Sequence, residues 1–250
     1  MKTITKNIDK ILIGLIFLAG IIIIYNQFQL SSLNSELSGI GGTIPTGAGL
    51  VSASEVIPKG VPRIYGDELK IKYDDVSASN PNLADQTIAL LSEYDRNIVL
   101  TGKNLERYIS ITTQISCEYC CSAKAIVFSK DDEDAMNEKI KQAISTGQIT
   151  EEQAKKYRIT AGDAACGCAH SYAMRGLAKY LLTKHSTEFT DDQILEELAK
   201  WKTLFFPGQM EAKATALKEN GIEFSYINLG SNKYRDIEKG SSSGGMVGGC

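Results

Sequence analysis

Hydrophobic positions take three successive characters along this chain. Near the N-terminus they are continuous, from Ile11 through Ile13, Leu15, Phe17 and the run Ile21-Ile22-Ile23-Ile24 to Tyr25, with a weak extension to Phe28. A bilayer-spanning helix needs roughly 17 to 25 predominantly apolar residues, so residues 11–28 predict a single transmembrane anchor. The β-branched run carries no small-residue cleavage pattern after it, which favours an anchor over a removed signal. Between residues 29 and 55 the pattern vanishes into Ser, Gly and Thr, including Gly39-Ile40-Gly41-Gly42-Thr43, and predicts a flexible stalk. From Val56 onward apolar residues return at regular spacings, and a folded domain is expected over 56–239.

Within that domain most spacings are helical. Asn80-Pro81-Asn82 opens a helix with Leu83, Ile88, Leu91 and Tyr94 on one face. The charged stretch 130–158 carries Met136, Ile140, Ala143 and Ile144 on one face, then Gly147 and the start signal Thr150-Glu151-Glu152-Gln153, which predicts a helical hairpin inserted in the domain. From Ala169 the positions Tyr172, Leu177, Tyr180 and Leu181 predict a helix ending near Lys184-His185, where His185 is expected as a capping or surface residue. Thr190, Asp191 and Asp192 begin another, with Ile194, Leu195, Leu198, Trp201 and Leu204 apolar until Pro207 stops it; Trp201, Phe205 and Phe206 are expected in the core. Gln209 to Glu219 makes one more helix. A short helix is also expected over Ser122 to Phe128. Three extended segments are predicted, at 63–65, 69–73 and 224–229, the second from its alternation and the third from Phe224-Ser225-Tyr226-Ile227-Asn228-Leu229. The predicted fold class is therefore α+β and mainly helical: one transmembrane helix followed by a compact domain with a few short strands, and a Gly/Ser-rich tail at 240–250 ending in Cys250.

Charge sets the topology. Lys2, Lys6 and Lys10 precede the apolar run, and no positive residue follows it before Lys59. The positive-inside rule then places the N-terminus in the cytoplasm and the domain outside, as a single-pass protein of the cell membrane. Residues 1–10 contribute +2 to a chain total of -3, leaving -5 for the remainder, which argues against nucleic acid as a partner.

The candidate chemistry lies in cysteine. Cys117-Glu118-Tyr119-Cys120-Cys121 and Cys166-Gly167-Cys168-Ala169-His170 together hold five of the six cysteines and one of the two histidines. Closely spaced thiolates with imidazole suit zinc, copper(I) or an iron-sulfur cluster better than calcium or magnesium. The expected ligands are Cys117, Cys120, Cys166 and Cys168, with Cys121, His170 and Cys250 as alternates, and zinc as the ion. Convergence is best served by a coil at 166–168 with the helix starting just after it.

An oxidising exterior also permits disulfides. Adjacent Cys120 and Cys121, and Cys166 and Cys168 one glycine apart, are awkward for independent bridges and natural for ligands. A membrane-tethered thiol-disulfide oxidoreductase using Cys117 and Cys120 is the first alternative, since a Cys-x-x-Cys at a helix start is the thioredoxin-like layout; a disulfide-stabilised surface interaction protein is the second. Two histidines and no nucleophile motif assemble no hydrolase. Neither cluster has the Cys-x-x-Cys-His spacing of attached haem.

The segments Ile115-Ser116-Cys117-Glu118-Tyr119-Cys120-Cys121 and Cys166-Gly167-Cys168-Ala169-His170-Ser171-Tyr172-Ala173-Met174-Arg175-Gly176-Leu177-Ala178-Lys179-Tyr180-Leu181, with the ending Met246-Val247-Gly248-Gly249-Cys250, resemble an uncharacterised family of membrane-anchored proteins from archaea with small genomes and candidate-phylum microbes. The resemblance covers most of residues 56–250. It implies no activity, and it implies that 130–158 is an insertion, the family joining its two clusters by a shorter loop. A fainter similarity, confined to Cys166-Gly167-Cys168, links the chain to bacterial lipoproteins named for a Pro-Cys-Tyr-Cys-Gly-Cys motif. Together these readings give a membrane-anchored, extracytoplasmic metal-binding protein whose site serves structure or metal capture.

Overall fold

The computed structural model describes residues 51–239 and 245–249; the anticipated anchor at 11–28, nearly all of the stalk and Cys250 lie outside them. Among the described residues no helix is long and apolar enough to cross a membrane. The helices are α1 (Ala53–Val56), α2 (Tyr65–Leu69), α3 (Pro81–Asn97), α4 (Gly102–Thr112), α5 (Lys130–Ser145), α6 (Glu151–Ala154), α7 (Ala169–Lys184), α8 (Asp191–Phe205), α9 (Pro207–Glu219) and α10 (Tyr226–Gly230), with short 3₁₀ turns at Tyr73–Asp75 and Asn232–Tyr234.

The long helices form for the reasons their sequences suggest. Pro81 sits at the first turn of α3, where its missing N–H is no loss. Ser129, Thr150 and Thr190 each accept a bond from the backbone three residues on, and Asp132, Gln153 and Gln193 return it, so α5, α6 and α8 all begin with reciprocal caps. Pro207 does not only stop α8. It is the first residue of α9, with Phe206 joining the two helices.

Helix α7 is the axis of the domain. Met174, Leu177, Ala178, Leu181 and Leu182 are buried, and so are His170, Ser171 and Arg175, so its apolar stripe is too wide for a surface helix. Helix α3 packs along it, α4 and α8 cover further faces, and α10 lies on α8. The approach of α3 to α7 is closest at Gly176, where a Cβ would stand 1.8 Å from the Leu91 carbonyl oxygen. Beside that contact, Arg175 and Lys179 of α7 both pair with the buried Asp95 of α3 at 2.8 Å, which fixes the helices' register. A second buried network ties the N-terminal segment to α8: Tyr65 and Tyr73 both donate to Glu197, and the Trp201 indole donates to Tyr65.

The expected strands are absent among the described residues, where the only β pairing is two isolated antiparallel bridges, Ile115 with Ser231 and Val127 with Ala164. Residues 65–69 are helical. The alternation at 71–74 is real, since Ile71 and Tyr73 are buried while Lys72 and Asp74 are exposed, but the Tyr73 amide bonds to Gly60 alone and no strand lies alongside. Residues 226–230 coil into α10 because the Ser225 hydroxyl caps the Asn228 amide, which overrides the β preference of Tyr226 and Ile227. Residues 122–128 form no helix; the Ile126 amide bonds to the Ile115 carbonyl instead. Order also begins earlier than Val56, for Val51 is already part of the core.

Candidate metal centre

Both cysteine clusters lie on tight backbone. In the first, the amides of Cys120 and Cys121 donate to the carbonyl of Cys117 at 3.3 and 3.2 Å, so one turn gathers three sulfurs. Its position is set by charge: Glu118, between the cysteines, accepts from Lys202 of α8 at 2.9 Å and from Lys213 of α9 at 3.2 Å, all three side chains being almost wholly buried. Arg235 donates to the carbonyls of Ala123 and Ser122, closing the turn from the other side. In the second cluster the chain is extended up to Cys168, which is the N-cap of α7 and accepts from the Ser171 amide through its sulfur. The helix thus starts just after the Cys-Gly-Cys coil, as its spacing suggests.

The structure joins Cys121 to Cys166 in a disulfide, and the two halves of the site meet there. This divides the expected four-thiolate set. Cys166 is not a thiolate ligand while bonded to Cys121; this one bridge takes a cysteine from each cluster. Cys117, Cys120 and Cys168 lie outside the disulfide, and His170 joins them: their four donor atoms all lie within 4.8 Å of one another. Cys117 and Cys168 are 3.1 Å apart at sulfur, and Cys168 is 3.5 Å from Cys166. A tetrahedral zinc with bonds of about 2.3 Å to sulfur has ligand–ligand edges of about 3.8 Å, so the cluster has the size of one coordination sphere. The sulfurs of Cys117, Cys121, Cys166 and Cys168 also fall within 4.8 Å, a second set that exists only if the disulfide is reduced. Cys250 lies outside the described residues.

His170 is the most informative member. Its ring is fully buried and flanked by Phe205 and Phe206, with centroids 4.8 and 4.9 Å away. Its Nε2 stands 3.1 Å from the Val247 carbonyl oxygen, which can only accept, so Nε2 carries the proton. Nδ1 is buried and without a hydrogen-bond partner. Leaving such an atom unsatisfied costs about 1–3 kcal/mol. A metal-ligating histidine has this same arrangement, one nitrogen held by a carbonyl and the other free for the ion.

The electrostatics favour anionic sulfur. Cys168 is held well below the usual thiol range, chiefly by the hydrogen bond from Cys117, with Ser171 helping; Cys117 is correspondingly raised by giving that bond and by burial. Burial pushes Lys202 down to about 8, although Glu118 opposes the change, and Cys117 is among the groups that favour its charged form. Two buried lysines thus face one buried carboxylate beside the Cys117 turn.

Sequence reasoning did not single out Glu118, Lys202, Lys213 or Val247. Lys202 was legible in principle, since it falls on the apolar stripe of α8 between Leu198 and Phe205. The thioredoxin-like layout is not formed: no helix starts at the Cys117–Cys121 turn, and the cysteine at a helix start is Cys168. His185 is the C-cap residue of α7, buried and bonded to Glu68 and Glu188. Comparison with known proteins found no matching family model, no similar curated protein and no similar solved structure.

Proposed function

We propose that this chain is a membrane-anchored extracytoplasmic protein that holds one zinc ion through Cys117, Cys120, Cys168 and His170. The observation that carries the reading is that the sulfurs of Cys117, Cys120 and Cys168 and one ring nitrogen of His170 all lie within 4.8 Å of one another, on a buried ring whose Nδ1 has no hydrogen-bond partner. Three sulfurs with one imidazole is a structural zinc set, whereas iron-sulfur clusters ordinarily take four thiolates. Zinc would draw the two cysteine loops and the start of α7 together. The donors differ in access: Cys117 and His170 are buried, and Cys120 is exposed, so Cys120 is the ligand through which an ion enters and leaves. A neighbouring disulfide suits an oxidising compartment and supports the outside placement that the N-terminal lysines suggest.

The test is elemental analysis and thiol titration on the full-length chain purified in mild detergent. About one zinc per chain is expected, with thiols that react slowly until a chelator removes the ion. Absence of metal, with Cys117 and Cys168 recovered as a second disulfide, would overturn the reading. That outcome would favour a thiol-disulfide oxidoreductase, which has its own observation in support: the two thiols are 3.1 Å apart and Cys168 touches the existing disulfide.

A further inference from the structure

Residues 245–249 return to the domain next to His170. The Val247 side chain is buried in the main core, its amide donates to the Phe205 carbonyl at 2.9 Å, and its carbonyl accepts from His170 Nε2. Two residues on, the Gly249 amide donates to Asp85 Oδ1 of α3 at 2.8 Å. The segment therefore spans from α8 across the face of His170 to α3, held at three points.

Its sequence fits that path. Gly248 and Gly249 both have positive φ, 66° and 77°, which side chains other than glycine adopt only with strain. A Cβ at Gly248 would stand 2.9 Å from both Asp85 and Ile88, and one at Gly249 would stand 2.9 Å from His170 Nε2 itself. Backbone that close to an imidazole leaves no room for a side chain or for a water to take the carbonyl's place. Between two phenyl rings, the Val247 carbonyl is the only described partner of His170 Nε2.

We infer that residues Val247 to Gly249 are a strap that positions the metal ligand: by accepting from Nε2 they fix the His170 tautomer that presents Nδ1 to the ion, and Asp85 anchors the strap's end. This rests on the zinc reading above. It assigns functions to Val247, Gly248, Gly249 and Asp85, none of which is a ligand.

The test uses the full-length chain and four variants: Gly249→Val, Asp85→Ala, Asp85→Asn and Cys250→Ser. Zinc affinity is read by competition with a chromophoric chelator, and the ligand set by the absorption bands of the cobalt(II)-loaded protein. Gly249→Val and Asp85→Ala should bind zinc about ten- to a hundredfold more weakly, as loss of an outer-sphere partner does elsewhere, with cobalt bands shifted toward loss of the nitrogen ligand. Asp85→Asn, whose amide oxygen still accepts from Gly249, and Cys250→Ser should match the parent. A chain truncated after Gly244 should behave like Gly249→Val and regain affinity when a peptide of residues 245–249 is added. Parent-like affinity and cobalt spectra in both Gly249→Val and Asp85→Ala would overturn the strap while leaving the zinc site standing. A parent chain that binds no metal would overturn both.

Discussion

A buried imidazole with one nitrogen satisfied and the other without a partner is costly in an apolar pocket unless something meets that nitrogen, and the groups near His170 include the sulfurs of Cys117, Cys120 and Cys168. The other histidine shows what a purely structural role looks like. His185 has both nitrogens engaged, Nδ1 with Glu188 at 2.6 Å and Nε2 with Glu68 at 3.0 Å, and Tyr180 donates to the same Glu68. Burial works against its charged form, but the bonds to Glu188 and Glu68 outweigh it and raise its pKa. A raised folded pKa means the folded chain keeps a proton that the unfolded chain has released, so this contribution is full below about pH 6.5 and is lost as pH rises through the raised value. The melting-temperature advantage of the parent over His185→Gln should therefore shrink between about pH 6 and about pH 9. A difference that stays constant across that range would contradict it. Spacing places both histidines by helix position, near the start and end of α7, with His185 expected as a capping or surface residue; it is the C-cap, and it is buried. Spacing could not show that His170 lacks a second partner, because that depends on Phe205, Phe206 and Val247 arriving from distant segments.

The helices α3, α5, α7 and α8 were legible because each has a periodic face written in neighbouring residues, with local start signals as well at α3 and α8; Pro207, expected only to stop α8, also opens α9. The extended segments failed for the opposite reason. Alternation at 71–74 reports one buried face correctly, yet a strand also needs a partner, and partnering is not a local property. The pairing of Cys121 with Cys166, 45 residues apart, was illegible on the same ground. Nor does any local pattern say that Gly176 is a contact point. It sits mid-helix, where glycine costs about 1 kcal/mol relative to alanine, and an isolated reading would count it a defect. Its use is the approach of Leu91: Gly176→Ala should destabilise the domain by about 1–3 kcal/mol or more despite the better helix propensity, as overpacked sites do. Chemical denaturation would read the change, and a stability equal to or above the parent's would show that α3 and α7 can separate at no cost.

At the scale of the molecule, the chain folds so that α7 carries the burden of both core and site: its middle is packed by α3, α4 and α8, and its first turn supplies Cys168 and His170. Lys202 and Lys213 bring α8 and α9 to the Cys117 turn through Glu118, so the site is where the helical bundle, the cysteine loops and residues 245–249 meet. An ion there would join elements from across the sequence, which is how a small number of bonds adds to the stability of a whole domain. The most direct measurement is zinc-edge X-ray absorption on the full-length chain as isolated, without added reductant. The account predicts about three sulfurs at about 2.3 Å and one nitrogen at about 2.0–2.1 Å. Four sulfurs and no nitrogen, or no zinc at all, would contradict it.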